Sequence, residues 1–430
     1  MRKTSLILSL ILAAGMFFSC GKQNPNFKEK MVLDGSAQSS EIQGTSRTAN
    51  DETRRVLIVY SAGYNSLSNY LSTDINDLLN GYAPTPYRTS NVLLLITRLT
   101  KRYLDYSTPS EPLLIQITRK EGGETVCDTL RRWDGSRPIA SPDFMREALE
   151  YVKLRFPAAS YGMVISSHGT GWLPWNYYTY PELYEGGDTG DTFWAPGKRT
   201  LGQDVGNSVD TNAEIELKDL PEVIPFHLDY FLVDACLMGG IELAYQMKDV
   251  CDYIGFSQTE ILADGFDYLT VASRLIENRT ADPEQVCRDY FEAYENNPSA
   301  SYRSATISFV DCRKLEPLAD VCSDLFSKYN QKIRSLNPYT IQGYFRQGKH
   351  YFYDLQDILL HCGLTAEEKE ALQQALDWAV VYKAATPTFL GIDINVHSGF
   401  SMYLPANGTS FLDSFYKENI AWNARTGLVQ

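Results

Sequence analysis

The chain alternates between short, wholly apolar runs and stretches with helical spacing. Val56-Leu57-Ile58-Val59-Tyr60 is apolar without alternation, which predicts a strand buried on both faces. Leu67, Tyr70, Leu71, Ile75, Leu78 and Leu79 then recur at helical spacing. Residues 91–96 and 113–118 read as further strands, and 124–130, after Gly122-Gly123, as the hairpin partner of the latter. Ser141-Pro142-Asp143 opens a helix running to about Arg155, with Ser at the cap and Pro at the first helical position. Residues 161–166, 229–234 and 252–257 are three more buried strands, separated by helical segments. Strand, helix, strand repeated in this way predicts an α/β fold, a parallel sheet with helices on both faces. Sites in such sheets form just beyond the carboxyl ends of the strands.

The ends of the chain read differently. Met1-Arg2-Lys3, the apolar run from Leu6 to Phe18 and then Ser19-Cys20 fit a cleaved secretion signal, too short to span a membrane. It resembles a bacterial lipoprotein signal. That resemblance makes Cys20 the expected lipidation site and the cell envelope, on its periplasmic or surface face, the expected location. Residues 21–52 are polar and aperiodic and read as a flexible tether. Residues 172–209, rich in aromatics, glycines and acids, are long for a loop. Asp282-Pro283-Glu284 opens another helix, and the remainder reads as helices with strands at 304–310, 389–396 and 400–404. The expected layout is a signal at 1–20, a tether at 21–52, a core at 53–282 and an α/β extension at 283–430 packed on that core.

Composition narrows the class. Of 430 residues, 44% are hydrophobic and 21% charged, which excludes global disorder. The net charge of −14 argues against nucleic acid as a partner, because that needs a basic surface. Beyond Cys20 stand Cys127, Cys236, Cys251, Cys287, Cys312, Cys322 and Cys362. An exported protein could pair six of them and leave one as a working thiol; the alternative is that several are buried and reduced.

Two predicted strands end in reactive residues: Ser166-Ser167-His168-Gly169-Thr170-Gly171 and Val233-Asp234-Ala235-Cys236-Leu237-Met238-Gly239. A cysteine peptidase needs a thiolate, a proton-moving histidine and donors for an oxyanion. Cys236 and His168 supply the first two. The N–H groups of Gly169 and Cys236 are the expected oxyanion donors, and a helix expected to start near Gly239 would favour the thiolate. His-Gly at one strand end and Ala-Cys at a later one, histidine first, resemble caspase-like peptidases. Asp234-Ala235-Cys236-Leu237-Met238 resembles the clostripain family in particular. So do Val59-Tyr60-Ser61-Ala62-Gly63-Tyr64-Asn65-Ser66-Leu67, Ser257-Gln258-Thr259-Glu260 through Tyr268, and His397-Ser398-Gly399-Phe400-Ser401-Met402-Tyr403-Leu404-Pro405. The resemblance implies a caspase-like fold with a mostly parallel sheet. It also implies cleavage after basic residues, Arg first and then Lys, with Asp234 and Asp264 as the acids of the pocket for that side chain. It implies self-cleavage between the histidine and the cysteine, for which Gly197-Lys198-Arg199-Thr200 offers Lys198 and Arg199.

No His-Glu-x-x-His, paired Cys-x-x-Cys, phosphate loop or Gly-x-Ser-x-Gly elbow occurs. No metal site and no required cofactor are expected. The acidic stretch Glu185-Gly186-Gly187-Asp188-Thr189-Gly190-Asp191 lacks EF-hand spacing and reads as solvated loop rather than a calcium site. His227, His350, His361 and His397 read as structural or surface residues. The rival reading is a catalytically inactive envelope lipoprotein that binds peptide or glycan, with Trp172-Leu173-Pro174-Trp175-Asn176-Tyr177-Tyr178 offering rings to stack on sugars.

Overall fold

A computed structural model describes residues 54–185, 201–205, 213–346 and 350–430. Cys20, Lys198, Arg199 and the acidic stretch beyond Glu185 lie outside the described residues, as do the expected signal and the whole of the tether.

The apolar runs assemble into one sheet of nine strands, here numbered in chain order. They are β1 (Arg55–Gly63), β2 (Val92–Leu99), β3 (Leu113–Arg119), β4 (Thr125–Arg132), β5 (Ser160–Ser166), β6 (Leu228–Asp234), β7 (Cys251–Phe256), β8 (Thr306–Asp311) and β9 (Val380–Ala385). Their spatial order is β9-β8-β7-β6-β5-β1-β2-β3-β4. The central run β7-β6-β5-β1-β2 is parallel. Both edges are antiparallel, through β3–β4 on one side and β8–β9 on the other. The chain reverses between β5 and β1, the two strands on which its order switches direction. That is where an open α/β sheet forms its crevice.

Helices cover both faces. Val56, Ile58 and Tyr60 of β1 face a core closed by α2 (Pro142–Arg155), α3 (Ile241–Met247) and α6 (Leu315–Ile333). Leu57, Val59 and Ser61 point the other way, as pleating requires, toward α1 (Ser68–Asn80), α4 (Tyr268–Ala272) and α5 (Pro283–Glu295). The expected cap is present on α2, where Ser141 accepts from the Phe144 N–H with Pro at the first position. Asp282 likewise caps α5.

The strand at 380–385 has no counterpart in the sequence reading; it follows α7 (Ala366–Ala379) without a break. The expected strand at 389–396 is only a short hairpin, Thr388–Phe389 with Ile392–Asp393. That at 400–404 reduces to Ser401–Met402 paired with Tyr353–Asp354. Residues Thr45–Gln430 form one compact unit, since β8 and β9 of the 283–430 segment complete the sheet of the core. Of the two readings left open for the cysteines, six paired or several buried and reduced, the structure shows the second. Cys127, Cys236, Cys251, Cys287, Cys312, Cys322 and Cys362 are all free thiols, and the last five are buried. Among the described residues no helix is long and apolar enough to cross a membrane.

Candidate active site

β5 and β6 pair in parallel with Ser166 opposite Asp234. His168 and Cys236 each follow two residues later, so the register sets them side by side beyond the strand ends. The contact is close. A Cβ added to Gly169 would sit 2.7 Å from the Cys236 carbonyl oxygen and 2.8 Å from Met238 Sδ. Only glycine lets these two backbones approach so nearly.

The nucleophile turn is stitched to the segment after β7. Leu237 N–H donates to Thr259 O at 2.9 Å and Gly239 N–H to Ser257 O at 2.7 Å. Ile261 N–H donates to Cys236 Sγ at 3.4 Å. Leu237 is fully buried at φ +61°, a left-handed conformation that β-carbon sterics disfavour and that the ladder holds in place. The helix expected to start near Gly239 is α3, which begins at Ile241 with Gly240 as its cap. The Ile261 amide is the donor that reaches the sulfur.

His168 is half-buried, and its Nε2 lies 2.9 Å from Ser66 Oγ. Ser66 stands just after β1, in a turn organised by the buried Asn65. The Asn65 amide donates to Ala62 O, to Gln203 O and to Ser167 Oγ, at 2.9, 2.9 and 3.4 Å. Sequence reasoning found no third residue for the histidine. Ser66 fills that place, and it lay inside the opening-strand motif without a role. Residues 201–205 pass beside the same turn. Gly202 N–H donates to His168 O, and Leu201 bridges Gly169. That bridge places Gly169 in a pair whose flanking bond is made by His168, so the ladder leaves the Gly169 N–H out. Asp204 anchors the segment through a buried ion pair with Arg98 at 2.7 Å.

The two expected pocket acids are brought together unequally. Asp234 is buried. Its Oδ2 accepts from Tyr268 OH at 3.0 Å, Phe266 N–H at 3.3 Å and Ser166 OH at 3.4 Å. Burial pushes its carboxyl up to about 6 against the pull of those three donors. Gly265, at φ +58°, roofs it, since a Cβ there would fall 2.5 Å from Oδ2. Asp264 is exposed, one residue before that roof, and desolvation raises its carboxyl modestly. Neither acid forms an ion pair with a described residue.

Sequence reasoning assigned no role to Glu260, which pairs with Arg346, or to Tyr178, whose phenol lies in the electrostatic neighbourhood of Glu260, Arg346 and Cys236. Trp172, Tyr177 and Tyr178 are buried, and Trp172 packs on Tyr403 and Tyr416. These rings are packing, not an open sugar platform. His227 bonds Asp252, His361 bonds the Asp357 carbonyl and His397 bonds Gln258. Among the described residues no group of three or more His, Cys, Asp or Glu is placed to hold a metal.

Comparison with known proteins adds independent findings. The profile of the Clostripain family matches residues 59–424. Clostripain of Hathewaya histolytica is 22% identical over 298 residues, 64% of this chain and 52% of that protein, so the chain spans about half the length of this curated relative. The X-ray structure of an inactive zymogen C11 protease from Parabacteroides distasonis superposes with a TM-score of 0.71 at 26% identity, covering 88% of this chain and 99% of that one. A secreted C11 cysteine protease from Bacteroides thetaiotaomicron, solved with an irreversible peptide inhibitor, shares the fold at 23% identity and a TM-score of 0.68, covering 86% and 98%.

Proposed function

We propose, on the premise that this chain belongs to the clostripain family, that it is a cysteine endopeptidase cutting after basic residues, Arg before Lys. The observation that carries this reading is the parallel register of β5 and β6, which brings His168-Gly169 against Cys236 at the switch point of the sheet.

Cys236 attacks the scissile carbonyl as a thiolate, and the Ile261 N–H directed at Sγ favours that anion. The carbonyl oxygen becomes an oxyanion held by the N–H groups of Cys236 and Gly169. In the protonated ring both nitrogens carry a proton; with the Nε2 proton directed to Ser66 Oγ, 2.9 Å away, this mechanism uses Nδ1 for proton transfer. His168 protonates the leaving amine as the C–N bond breaks, then takes a proton from the water that opens the thioester. Asp234 and Asp264 supply the negative charge that selects a cationic side chain. No metal or cofactor takes part in these steps, and the substrates are proteins or peptides.

Self-cleavage after Lys198 or Arg199 belongs to the same reading. Leu201, which follows Lys198 by three positions in the sequence, bridges Gly169. We further infer export and a lipid anchor at Cys20, which would tether the enzyme to the cell envelope.

The test is hydrolysis of fluorogenic peptides ending in Arg, Lys or Glu under reducing conditions. Cleavage of the first two, lost in Cys236→Ala and in His168→Ala, is expected. Activity that survives in Cys236→Ala would refute the mechanism. A two-band gel for wild type beside one band for Cys236→Ala is the expected sign of self-cutting. Incorporation of labelled fatty acid that disappears in Cys20→Ser checks the anchor.

A further inference from the structure

The face of the sheet beneath α1 ends in polar groups where hydrocarbon would be expected. Ser61, Ser166 and Asp234 stand at matched register on β1, β5 and β6. Residues at one register of parallel neighbours point to the same face, so the three form a buried polar row. α1 lies over this row and turns Asp74 toward it. A closed cleft, lined by Val59, Ser61, Leu71, Asp74, Ser166 and Tyr268, separates the two. It is too narrow here to admit a water molecule, so a ligand must part its walls.

Two buried groups lining the cleft have no hydrogen-bond partner among the described residues, and of these only the Ser61 Oγ is sealed from solvent. Ser61, 2% exposed, has an Oγ without a hydrogen-bond partner. Asp74, 8% exposed, makes no hydrogen bond or ion pair with a described residue. Asp234 spends all three of its donors on Oδ2 and receives none on Oδ1 among the described residues. Two sheltered carboxylates that repel one another, with no lysine or arginine paired to either, are costly to keep. A cation that arrives from outside the fold completes the set. Tyr70, one helical turn before Asp74, lies in the field of Asp264, so α1 runs from the exposed acid at the mouth to the buried one at the floor.

We propose that Asp74 is a specificity-determining residue, forming with Asp234 the anionic floor that receives the guanidinium of a substrate arginine. The inference rests on the peptidase reading above and deepens it. Asp74 and Ser61 Oγ offer acceptors within the cleft, and Asp234 stands behind it in the same polar row, bonded to the lining Tyr268. That arrangement suits the planar five-donor fork of arginine, whereas the ammonium of lysine is a point charge on a thinner stem.

The experiment compares wild type with Asp74→Asn on matched peptides ending in Arg, Lys and citrulline, the neutral isostere of Arg. For Asp74→Asn, KM for the Arg peptide rises about 10- to 100-fold with kcat changed far less, and the Arg:Lys ratio of kcat/KM falls. Hydrolysis of the citrulline peptide changes far less than that of the Arg peptide. An unchanged KM for Arg and an unchanged Arg:Lys ratio overturn the inference while leaving the peptidase intact. Wild type that cleaves neither basic peptide overturns the peptidase reading itself, and this one with it. Should Asp74→Asn fail to fold, Ser61→Ala removes only an unpartnered hydroxyl. It is expected to raise KM for Arg by about threefold without affecting Lys, and an unchanged Arg KM would again overturn the assignment.

Discussion

Ser66 shows how much of a site rests on a side chain with no chemistry of its own. Its Oγ meets His168 Nε2 at 2.9 Å and holds the ring's angle. Ser66→Ala removes that hold and leaves both reacting groups in place. The expected result is a kcat lowered roughly tenfold with KM little changed, read from steady-state kinetics on an Arg peptide. Asp234 gives a pH signature. Its carboxyl titrates near 6 because it is buried, and only the ionised form attracts a cationic side chain. kcat/KM for Arg substrates therefore falls as pH drops through about 6, whereas in Asp234→Asn that acid limb is absent; an identical limb in the variant would contradict the assignment. The placement of Cys236, His168 and Asp234 at neighbouring strand ends was legible in the sequence, because apolar runs that stop at reactive residues carry that signal. Ser66 was not, because its meeting with the histidine depends on how the ends of β1 and β5 abut, and one serine in a turn has no period or spacing to betray it. Asp74 was hidden for a related reason: an acid on the apolar face of a helix reads as noise until the strand beneath it is known.

At the level of elements, reactivity comes from a turn held open on one side and bonded on the other. The 236–239 turn is hydrogen-bonded to the segment after β7, and its free side is pressed by the end of β5 through Gly169. Gly169→Ala inserts a methyl group where Cys236 O and Met238 Sδ already lie under 3 Å away. Overpacking of this kind costs about 1–3 kcal/mol, and displacing an oxyanion donor costs on the order of a hundredfold in rate. Differential scanning calorimetry and peptide turnover should both register the change; a variant as stable and as fast as wild type would show that the methyl is accommodated and that this close approach does not set the geometry of the site. The sequence pattern gave the central strands well, since β1, β5, β6 and β7 are continuous apolar runs bounded by polar ends. It failed at 380–385 because Trp378-Ala379-Val380-Val381-Tyr382 keeps the apolar character of α7 across the helix end, and half-buried edge positions blur the alternation. It over-read 389–396, where β-branched and aromatic residues make only a two-rung hairpin.

Across the whole molecule, the C-terminal segment is fastened to the ground beneath the nucleophile by one buried acid. Glu242, the second residue of α3, accepts at Oε1 from Tyr403 N–H at 2.9 Å and from Tyr416 OH at 2.8 Å, on α8 (Ser410–Asn419). Its Oε2 has no partner, nor has the Oγ of Ser401, and both atoms lie beside the Cα of Gly240. Burial pushes this carboxyl up to about 7, against an ordinary value of 4.5. Because the folded value is raised, the native state holds the proton more tightly than the unfolded chain. Glu242 therefore adds stability fully below about pH 4.5 and loses it as pH rises through about 7, an effect of up to roughly 3 kcal/mol. Glu242→Gln keeps an acceptor for Tyr403 and Tyr416 and gives the Oε2 position a neutral donor that can meet Ser401 Oγ. Urea titrations from pH 5 to 8 should show wild type losing stability across that window and the variant changing much less, ending the more stable of the two at pH 8. Equal slopes would mean that the acid is solvated or paired in solution. The strut would then be a water-filled joint, and the extension would be held instead by the packing of Trp172 between Tyr403 and Tyr416.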